Sequence, residues 1–301
     1  YLKKYQIVSP LIKNTSVLNS SLLFEKNTDD YNFSSSINVI EDLSKVDSDK
    51  YEYIFPNYDF SKETFISNNI FNSLNFKSSG NYRKYNTNVD EIDMVNDLIL
   101  SSNDNDKLTN LDTNLSFLVR NINTYGDLSP TYKDKSDNKL LTSALLNLKY
   151  PMIKENDTGS KFLTPLASFR YSPNKGANLI NQNTLLEFQN LFELDRINNK
   201  TVENGPSMTL GIEYKNLNKF NQEKLNFGLA LNFRREKDED LPLSSSLGEK
   251  TSDLIGYSGL NITENFSINY NFLIDKNLSG TNYSLASADY SGSKFKTSFK
   301  Y

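Results

Sequence analysis

The 301-residue sequence has no histidine, no cysteine and no tryptophan. The absence of histidine and cysteine excludes a Ser-His-Asp triad, a thiolate nucleophile and a zinc site with imidazole ligands. It also excludes a disulfide framework, so the redox compartment cannot be inferred from cysteine usage. Most enzyme mechanisms are therefore ruled out. We predict a protein that is not an enzyme and that has no catalytic residues, no metal site and no cofactor.

Other common signals are weak or missing as well. Glycine and proline number only 12 and 8, too few for a collagen-like or a disordered Pro/Gly-rich chain. No segment approaches the long apolar run of a membrane-spanning helix. The formal net charge of −4 disfavours nucleic acid as a partner. The chain begins with Tyr1 and no apolar signal segment follows, so we expect it to be a piece of a longer protein.

Apolar residues instead occupy alternate positions in several segments. From Leu225 to Phe233 the odd positions are leucine or phenylalanine, and the even positions are asparagine, glycine or alanine. Residues 31–39, 266–274 and 295–301 repeat this pattern. Because successive side chains of a strand point to opposite faces, each segment predicts a strand with one apolar and one polar face.

Weaker alternation elsewhere, including residues 185–192, brings the expected number of strands to roughly fifteen. Their spacing of about 20 residues suits a membrane β-barrel, which needs about 9–11 residues per strand plus connections. A soluble β-sandwich also alternates, but its shorter strands recur about every 8–12 residues. Since a sheet survives in lipid only when it closes on itself, we predict an all-β fold, an antiparallel transmembrane β-barrel.

A barrel of this kind assigns each face of a strand to one environment, because its apolar side meets lipid and its polar side lines a wet lumen. The residues predicted to face lipid are Leu225, Phe227, Leu229, Leu231, Phe233, Phe266, Ile268, Tyr270 and Phe272. The residues predicted to face the lumen are Asn226, Asn232, Arg234, Asn269 and Asn271. On this assignment, arginine in place of Leu229 should impair assembly more than arginine in place of Asn232.

Four short motifs also follow one another along the chain. They are Tyr53-Ile54-Phe55-Pro56, a stretch from Leu163-Thr164-Pro165 to Arg170-Tyr171-Ser172-Pro173, Asp195-Arg196-Ile197, and Leu241-Pro242 followed by Ser252-Asp253. In this order they resemble the barrel domain of the LptD family of LPS-assembly proteins. The motif positions, to which we assign structural roles, are Pro56, Leu163, Thr164, Pro165, Arg170, Tyr171, Ser172, Pro173, Asp195, Arg196, Leu241, Pro242, Ser252 and Asp253.

Simple chemistry supports structural roles for these residues. Proline cannot donate to a sheet ladder, so Pro165 and Pro173 are expected at strand ends, edges or bulges. Alternation places Arg170 on the lumen side, opposite the apolar side chains of the same strand. This matters because an arginine facing lipid at mid-membrane costs about 2–4 kcal/mol. Asp195 and Arg196 are expected in a turn or at a rim, with Arg196 paired to a nearby carboxylate.

The resemblance implies a location and a set of partners. LptD-family proteins form, with an LptE-like lipoprotein plug, the bacterial outer-membrane translocon that assembles lipopolysaccharide (LPS) in the outer leaflet. The saccharide passes through the lumen, and the acyl chains leave through a lateral seam into the outer-membrane lipid. A jellyroll domain connects the barrel to the periplasmic Lpt bridge. Residues 1–301 are then one segment of the barrel domain, without the jellyroll and the terminal strands.

Two other functions fit the alternation. One is a porin or a receptor-type outer-membrane channel, which does not need the series of motifs. The other is a soluble β-rich, adhesin-like protein, which would partition into water without detergent.

Overall fold

The computed structural model describes residues 16–66, 70–86, 88–106, 109–198 and 200–301. These residues form β-strands, turns and three short 3₁₀ helices at Asp47–Lys50, Asn190–Phe192 and Ser246–Gly248. No helix in these ranges is long and apolar enough to span a bilayer. The strands dominate the described residues, which are all-β as the alternation predicts.

The described residues form fifteen strands that lie in one antiparallel sheet. They are β1 (Val17–Asn27), β2 (Tyr31–Asp42), β3 (Tyr51–Phe65), β4 (Ser73–Tyr85), β5 (Val89–Asp106), β6 (Leu111–Asp127), β7 (Asp137–Lys149), β8 (Met152–Asn156), β9 (Gly159–Ser172), β10 (Gly205–Asn218), β11 (Glu223–Arg234), β12 (Leu254–Thr263), β13 (Phe266–Ile274), β14 (Thr281–Ser291) and β15 (Lys296–Lys300). Each strand pairs with the next along the chain, except that β7 and β8 both pair with β9. The expected all-β, antiparallel class and the expected number of roughly fifteen strands are confirmed.

Prolines mark interruptions in the strand pairing. The second half of β9, from Leu166 to Tyr171, pairs with β7. Its first half, from Gly159 to Leu163, pairs with β8. Pro165 lies opposite this break, where its carbonyl accepts a hydrogen bond of 3.1 Å from the backbone of Tyr150. Pro56 lies where the pairing of β3 with β4 shifts register, and Pro173 directly follows the end of β9. At each of these positions the proline, which has no backbone N–H, is not required to donate a hydrogen bond to a neighbouring strand.

The described residues pack as two compact units. Unit 1 contains residues 16–66, 73–99 and 119–140, and unit 2 contains residues 70–72, 100–118 and 141–301, within the described ranges. Strands β7, for most of its length, and β8–β15 therefore belong to unit 2.

Strands β9–β13 of unit 2 have two different faces. On one face, which we call the covered face, alternate residues such as Leu166, Ala230 and Asn232 are buried. On the opposite face, which we call the open face, residues such as Phe169 and Leu210 are exposed. The period of two that the sequence shows is thus the period at which burial alternates.

The connections between these strands alternate in length. Residues 219–222 join β10 to β11, and residues 264–265 join β12 to β13. Residues 173–204 join β9 to β10, and residues 235–253 join β11 to β12. Because the strands are antiparallel, both long connections leave from the same end, which we call the loop end.

Candidate functional site

Loop A (residues 173–204) and loop B (residues 235–253) are hydrogen-bonded to each other. The backbone of Leu179 donates to the carbonyl of Asp240 at 2.6 Å, and that of Leu243 donates to the carbonyl of Ile180 at 3.2 Å. The ammonium group of Lys175 lies 3.0 Å from the carboxylate of Asp240. The two loops therefore form one layer.

Apolar side chains hold this layer against the covered face. Leu166, Ala230, Ile255 and Leu273 of the sheet pack with side chains of the loops in one buried cluster. The loop members of this cluster are Leu186, Phe188, Leu191, Leu241 and Leu247. Burial of each large side chain contributes roughly 1.5–3 kcal/mol, so the loops are integral to the fold.

This cluster corrects the prediction of a strand at residues 185–192. The segment is irregular and ends in the 3₁₀ helix Asn190–Phe192. Its apolar residues Leu186, Phe188 and Leu191 are buried against the sheet. These side chains pack on a face of the sheet, and the segment does not pair with a strand. A short apolar run in a sequence does not distinguish these two arrangements.

Beside the apolar cluster lies an ionic network formed by Arg170, Arg196, Glu203 and Arg234. All four side chains are nearly inaccessible to solvent, with at most 4% of each side chain exposed. Both carboxylate oxygens of Glu203 accept hydrogen bonds from Arg196, one of them at 2.8 Å, and Arg234 donates to the same carboxylate at 2.9 Å. Arg170 lies 3.7 Å from it. One loop carboxylate thus joins two strand arginines and one loop arginine.

The network brings three positive charges close to several carboxylates. Three guanidinium groups surround the buried Glu203, Asp238 lies 3.3 Å from Arg234, and the charge of Asp195 also acts on Arg170. Burial alone would raise the pKa of Glu203, but the charges of Arg196, Arg170 and Arg234 outweigh burial and lower it to about 2. Glu203 is therefore ionised at neutral pH. Loss of one member of such a group leaves buried charge uncompensated.

Arg196 connects loop A to the strands beneath it. Its guanidinium donates to the hydroxyl of Thr209 on β10 at 3.1 Å and to the side-chain oxygen of Asn232 on β11 at 3.0 Å. It also donates to the carbonyl of Leu191 at 3.1 Å. Arg196 is paired with a carboxylate as the sequence predicts, but it is 4% exposed and lies in the interior. Arg196 lies in a bend of loop A, in keeping with the expected turn or rim, and the loop folds over the sheet and buries it.

Loop B is fixed to β11 by hydrogen bonds to the same asparagine. The Ser252 hydroxyl accepts a bond of 2.9 Å from the backbone of Asn232, and the Ser252 backbone donates to the Asn232 carbonyl at 2.8 Å. The next residue, Asp253, receives a 2.8 Å bond from Asn282 on β14. Asn232 thus joins both loops to the sheet.

The structure brings most of the motif residues from the chain's second half to this place. Those buried in or beside the layer of loops are Arg170, Ser172, Arg196, Leu241, Pro242, Ser252 and Asp253. Leu163 and Thr164 are half-buried in β9, and Pro165, Tyr171, Pro173 and Asp195 are exposed. Pro56 is exposed in unit 1. Glu203, Ser207 and Thr209, which complete the network, are absent from the predicted set.

The residues predicted to face lipid all lie on the open face. Those of β11 and the end residues of β13 are half-buried, namely Leu225, Phe227, Leu229, Leu231, Phe233, Phe266 and Phe272. Ile268 and Tyr270 are exposed. Between Leu163 and Tyr171, the open-face positions of β9 are also apolar.

The residues predicted to face the lumen lie on the opposite, covered face, but in different surroundings. Asn232 and Arg234 are buried beneath the loops, and Asn232 is 0% exposed. Asn226 and Asn271 are half-buried, and Asn269 is exposed. Water therefore reaches the covered face at Asn269 but not at Asn232.

A cavity of about 430 Å³ lies next to the layer of loops on the covered face. Its polar walls include Lys149, Glu213, Lys215, Glu223 and Asn226. Aromatic side chains of loop A and β12 complete the lining, namely Phe188, Phe192 and Tyr257. Aromatic faces beside hydrogen-bonding groups of both signs can hold a hydrated polar ligand.

Unit 1 has its own buried ion pair. Arg120 of β6 donates to both carboxylate oxygens of Asp97 of β5, at 2.8 and 2.7 Å. Such a two-bond geometry is the strong form of this interaction. Within the described ranges, no group of acidic side chains in either unit is arranged to hold a metal ion.

Comparison with known proteins finds one family. A family model described as LptD, LPS transport system D, matches residues 1–301. A search of curated proteins finds no match. The family match includes every strand, both loops and all members of the ionic network.

Proposed function

The chain belongs to the LptD family of LPS transport proteins, and from this premise we propose that it is part of the outer-membrane translocon that assembles LPS in the outer leaflet. The family acts in transport of LPS to the outer membrane. Our proposal adds its role in the translocon, the route that LPS takes through it and the partners of the protein.

The observation that carries the proposal is the contrast between the two faces of β9–β13. From Leu163 to Tyr171 and from Leu225 to Phe233, every open-face residue is apolar. Each stretch is about as long as one crossing of a bilayer by a strand. The open face is therefore proposed to meet hydrocarbon, and the covered face to look into the lumen.

Lengths of connections suggest which end of unit 2 faces the outside. In outer-membrane barrels, turns are short on the periplasmic side and loops are long on the extracellular side. Loops A and B, which join β9 to β10 and β11 to β12, are accordingly proposed to enter the lumen from the extracellular side. The cavity beside Glu213 and Lys215 would then lie on the periplasmic side of the layer of loops.

We propose that the saccharide of LPS passes along the covered face, where the cavity offers both charged and aromatic groups. The acyl chains are proposed to leave through a lateral seam into lipid. An LptE-like lipoprotein plug and a periplasmic Lpt bridge, reached through a jellyroll domain, are the proposed partners. Residues 1–301 are proposed to be a segment of the barrel domain. No bond is made or broken in this process, so no catalytic residue is required.

Depletion of the full-length protein in its own host tests this proposal. We expect newly made LPS to accumulate at the inner membrane and to become less accessible to an impermeant label added outside intact cells. A photo-crosslinker at Lys215 should capture LPS in undepleted cells, whereas one at Lys219, in the short turn, should capture much less.

The same experiment distinguishes an outer-membrane channel. If depletion leaves labelling of surface LPS unchanged but slows the uptake of small solutes, the translocon proposal is wrong and the channel alternative is favoured. Purification without detergent would instead support the soluble alternative.

A further inference from the structure

A hollow of about 540 Å³ lies on the open face of unit 2, on the opposite side of the sheet from loops A and B. It is at the loop end of β9, β10 and β11, beside the middle of β7. Its open-face lining is apolar apart from one arginine, and includes Ala144, Phe169, Tyr171, Pro206, Phe233 and Arg235. It is therefore separate from the cavity on the covered face.

The sizes of paired side chains explain the hollow. Tyr171 pairs with Ala144 on one side and with Pro206 on the other. A large ring thus stands between two small residues, and Phe169 and Phe233 form the walls further along. Tyr171 is 54% exposed and Phe169 is 45% exposed, so this apolar surface is unfilled by the protein's own side chains.

Arg235 stands at the polar end of the hollow. It follows the last residue of β11, its side chain is exposed, and it contributes to the lining. The chain has six arginines. The other five all form ion pairs with carboxylates, whereas Arg235 has no carboxylate partner among the described residues. The hollow therefore combines an apolar surface with one uncompensated guanidinium.

We propose that this hollow binds a lipid resident in the outer leaflet, with an acyl chain against Tyr171 and Ala144 and a phosphate on Arg235. Guanidinium is the group that best matches the geometry of phosphate. The loop end is the proposed extracellular end, so the occupant to which we commit is the phosphorylated lipid anchor of LPS. This inference rests on the proposed orientation in the membrane, but not on a path through the lumen.

Native mass spectrometry of the delipidated full-length protein tests the site. The probes are purified lipid A bearing phosphates, phosphatidylglycerol and phosphatidylethanolamine, each added at the same concentration. We expect lipid A to be retained in preference to both phospholipids. Arg235→Gln should weaken its retention by about five-fold, the contribution expected of one cation near anionic lipid. Ala144→Phe, which fills the hollow with an apolar ring, should weaken it by about ten-fold or more.

Lys219→Gln is the matched control, because Lys219 is an exposed cation in the short turn between β10 and β11. Its replacement should leave lipid A retention unchanged. Equal retention of lipid A and phosphatidylethanolamine, equal retention of lipid A and phosphatidylglycerol, or an equal loss in Lys219→Gln would each overturn the proposal. Binding of lipid A by a protein whose depletion leaves surface LPS unchanged would preserve this site and reject only the transport proposal.

Discussion

Glu203→Gln is expected to destabilise the folded protein by about 3–5 kcal/mol, the usual cost of removing one partner from a buried ionic group. The substitution keeps the size of the side chain but leaves Arg196, Arg170 and Arg234 without their shared carboxylate. Since Arg170 and Arg234 of the sheet are linked to loop A through Glu203, the loop should also become accessible to protease. Urea unfolding of the full-length protein in detergent, read by heat-modifiable mobility on gels, measures the effect.

Glu236→Gln serves as the control, because Glu236 is an exposed residue of loop B. It should change stability by less than about 0.5 kcal/mol. Acid provides a second readout. The pKa of Glu203 is lowered to about 2, so its contribution to stability is complete above the unfolded value near 4.5 and is lost as pH falls from there towards 2. This part of the acid sensitivity should disappear in Glu203→Gln, and its persistence would contradict the assigned role.

Ile268→Arg is expected to block stable insertion into the outer membrane, at a cost of about 2–4 kcal/mol for arginine against hydrocarbon. Ile268 is exposed on the open face of β13, where it pairs with Leu260 and Ala288. The level of the variant in outer-membrane fractions, and its heat-modifiable folded form, provide the measurement.

Asn269→Arg is the control on the same strand, because Asn269 is also exposed but lies on the covered face. It should insert nearly as well as the unsubstituted protein. The earlier comparison of Leu229 with Asn232 is unsuitable, because Asn232 is completely buried under the loops and arginine there would displace Arg196. Equal insertion of the two β13 variants would contradict the assignment of faces.

The strands were predictable because their signal is local. Alternation at Leu225–Phe233 depends only on the direction of successive side chains, and β11 and β13 occupy the predicted segments. The motifs at Arg170 and Arg196 also marked the right region, since both residues belong to the network. Each of these features can be recognised from a few neighbouring residues of the sequence.

The inward fold of the loops was not predictable in the same way. Glu203 pairs with the nearby Arg196 but also with Arg170 and Arg234, which lie about 30 residues away on either side. Asn232 resembles any polar lumen residue until the loops cover it. One signal was present. Arginine is rare in this lysine-rich chain, and arginine is the cation best suited to buried ion pairs. Four of the six arginines, Arg120, Arg170, Arg196 and Arg234, are indeed buried.

Accessibility of a spin label along β13 tests most directly whether the open face meets hydrocarbon. The chain has no cysteine, so single cysteines at positions 266–272 can each carry one label in the full-length protein in bilayers. Collisions with oxygen should be most frequent at 266, 268, 270 and 272, and collisions with a water-soluble nickel chelate should be most frequent at 267, 269 and 271. A profile without this alternation, or one with the two reagents exchanged, would contradict the membrane-spanning sheet on which the proposed transport role depends.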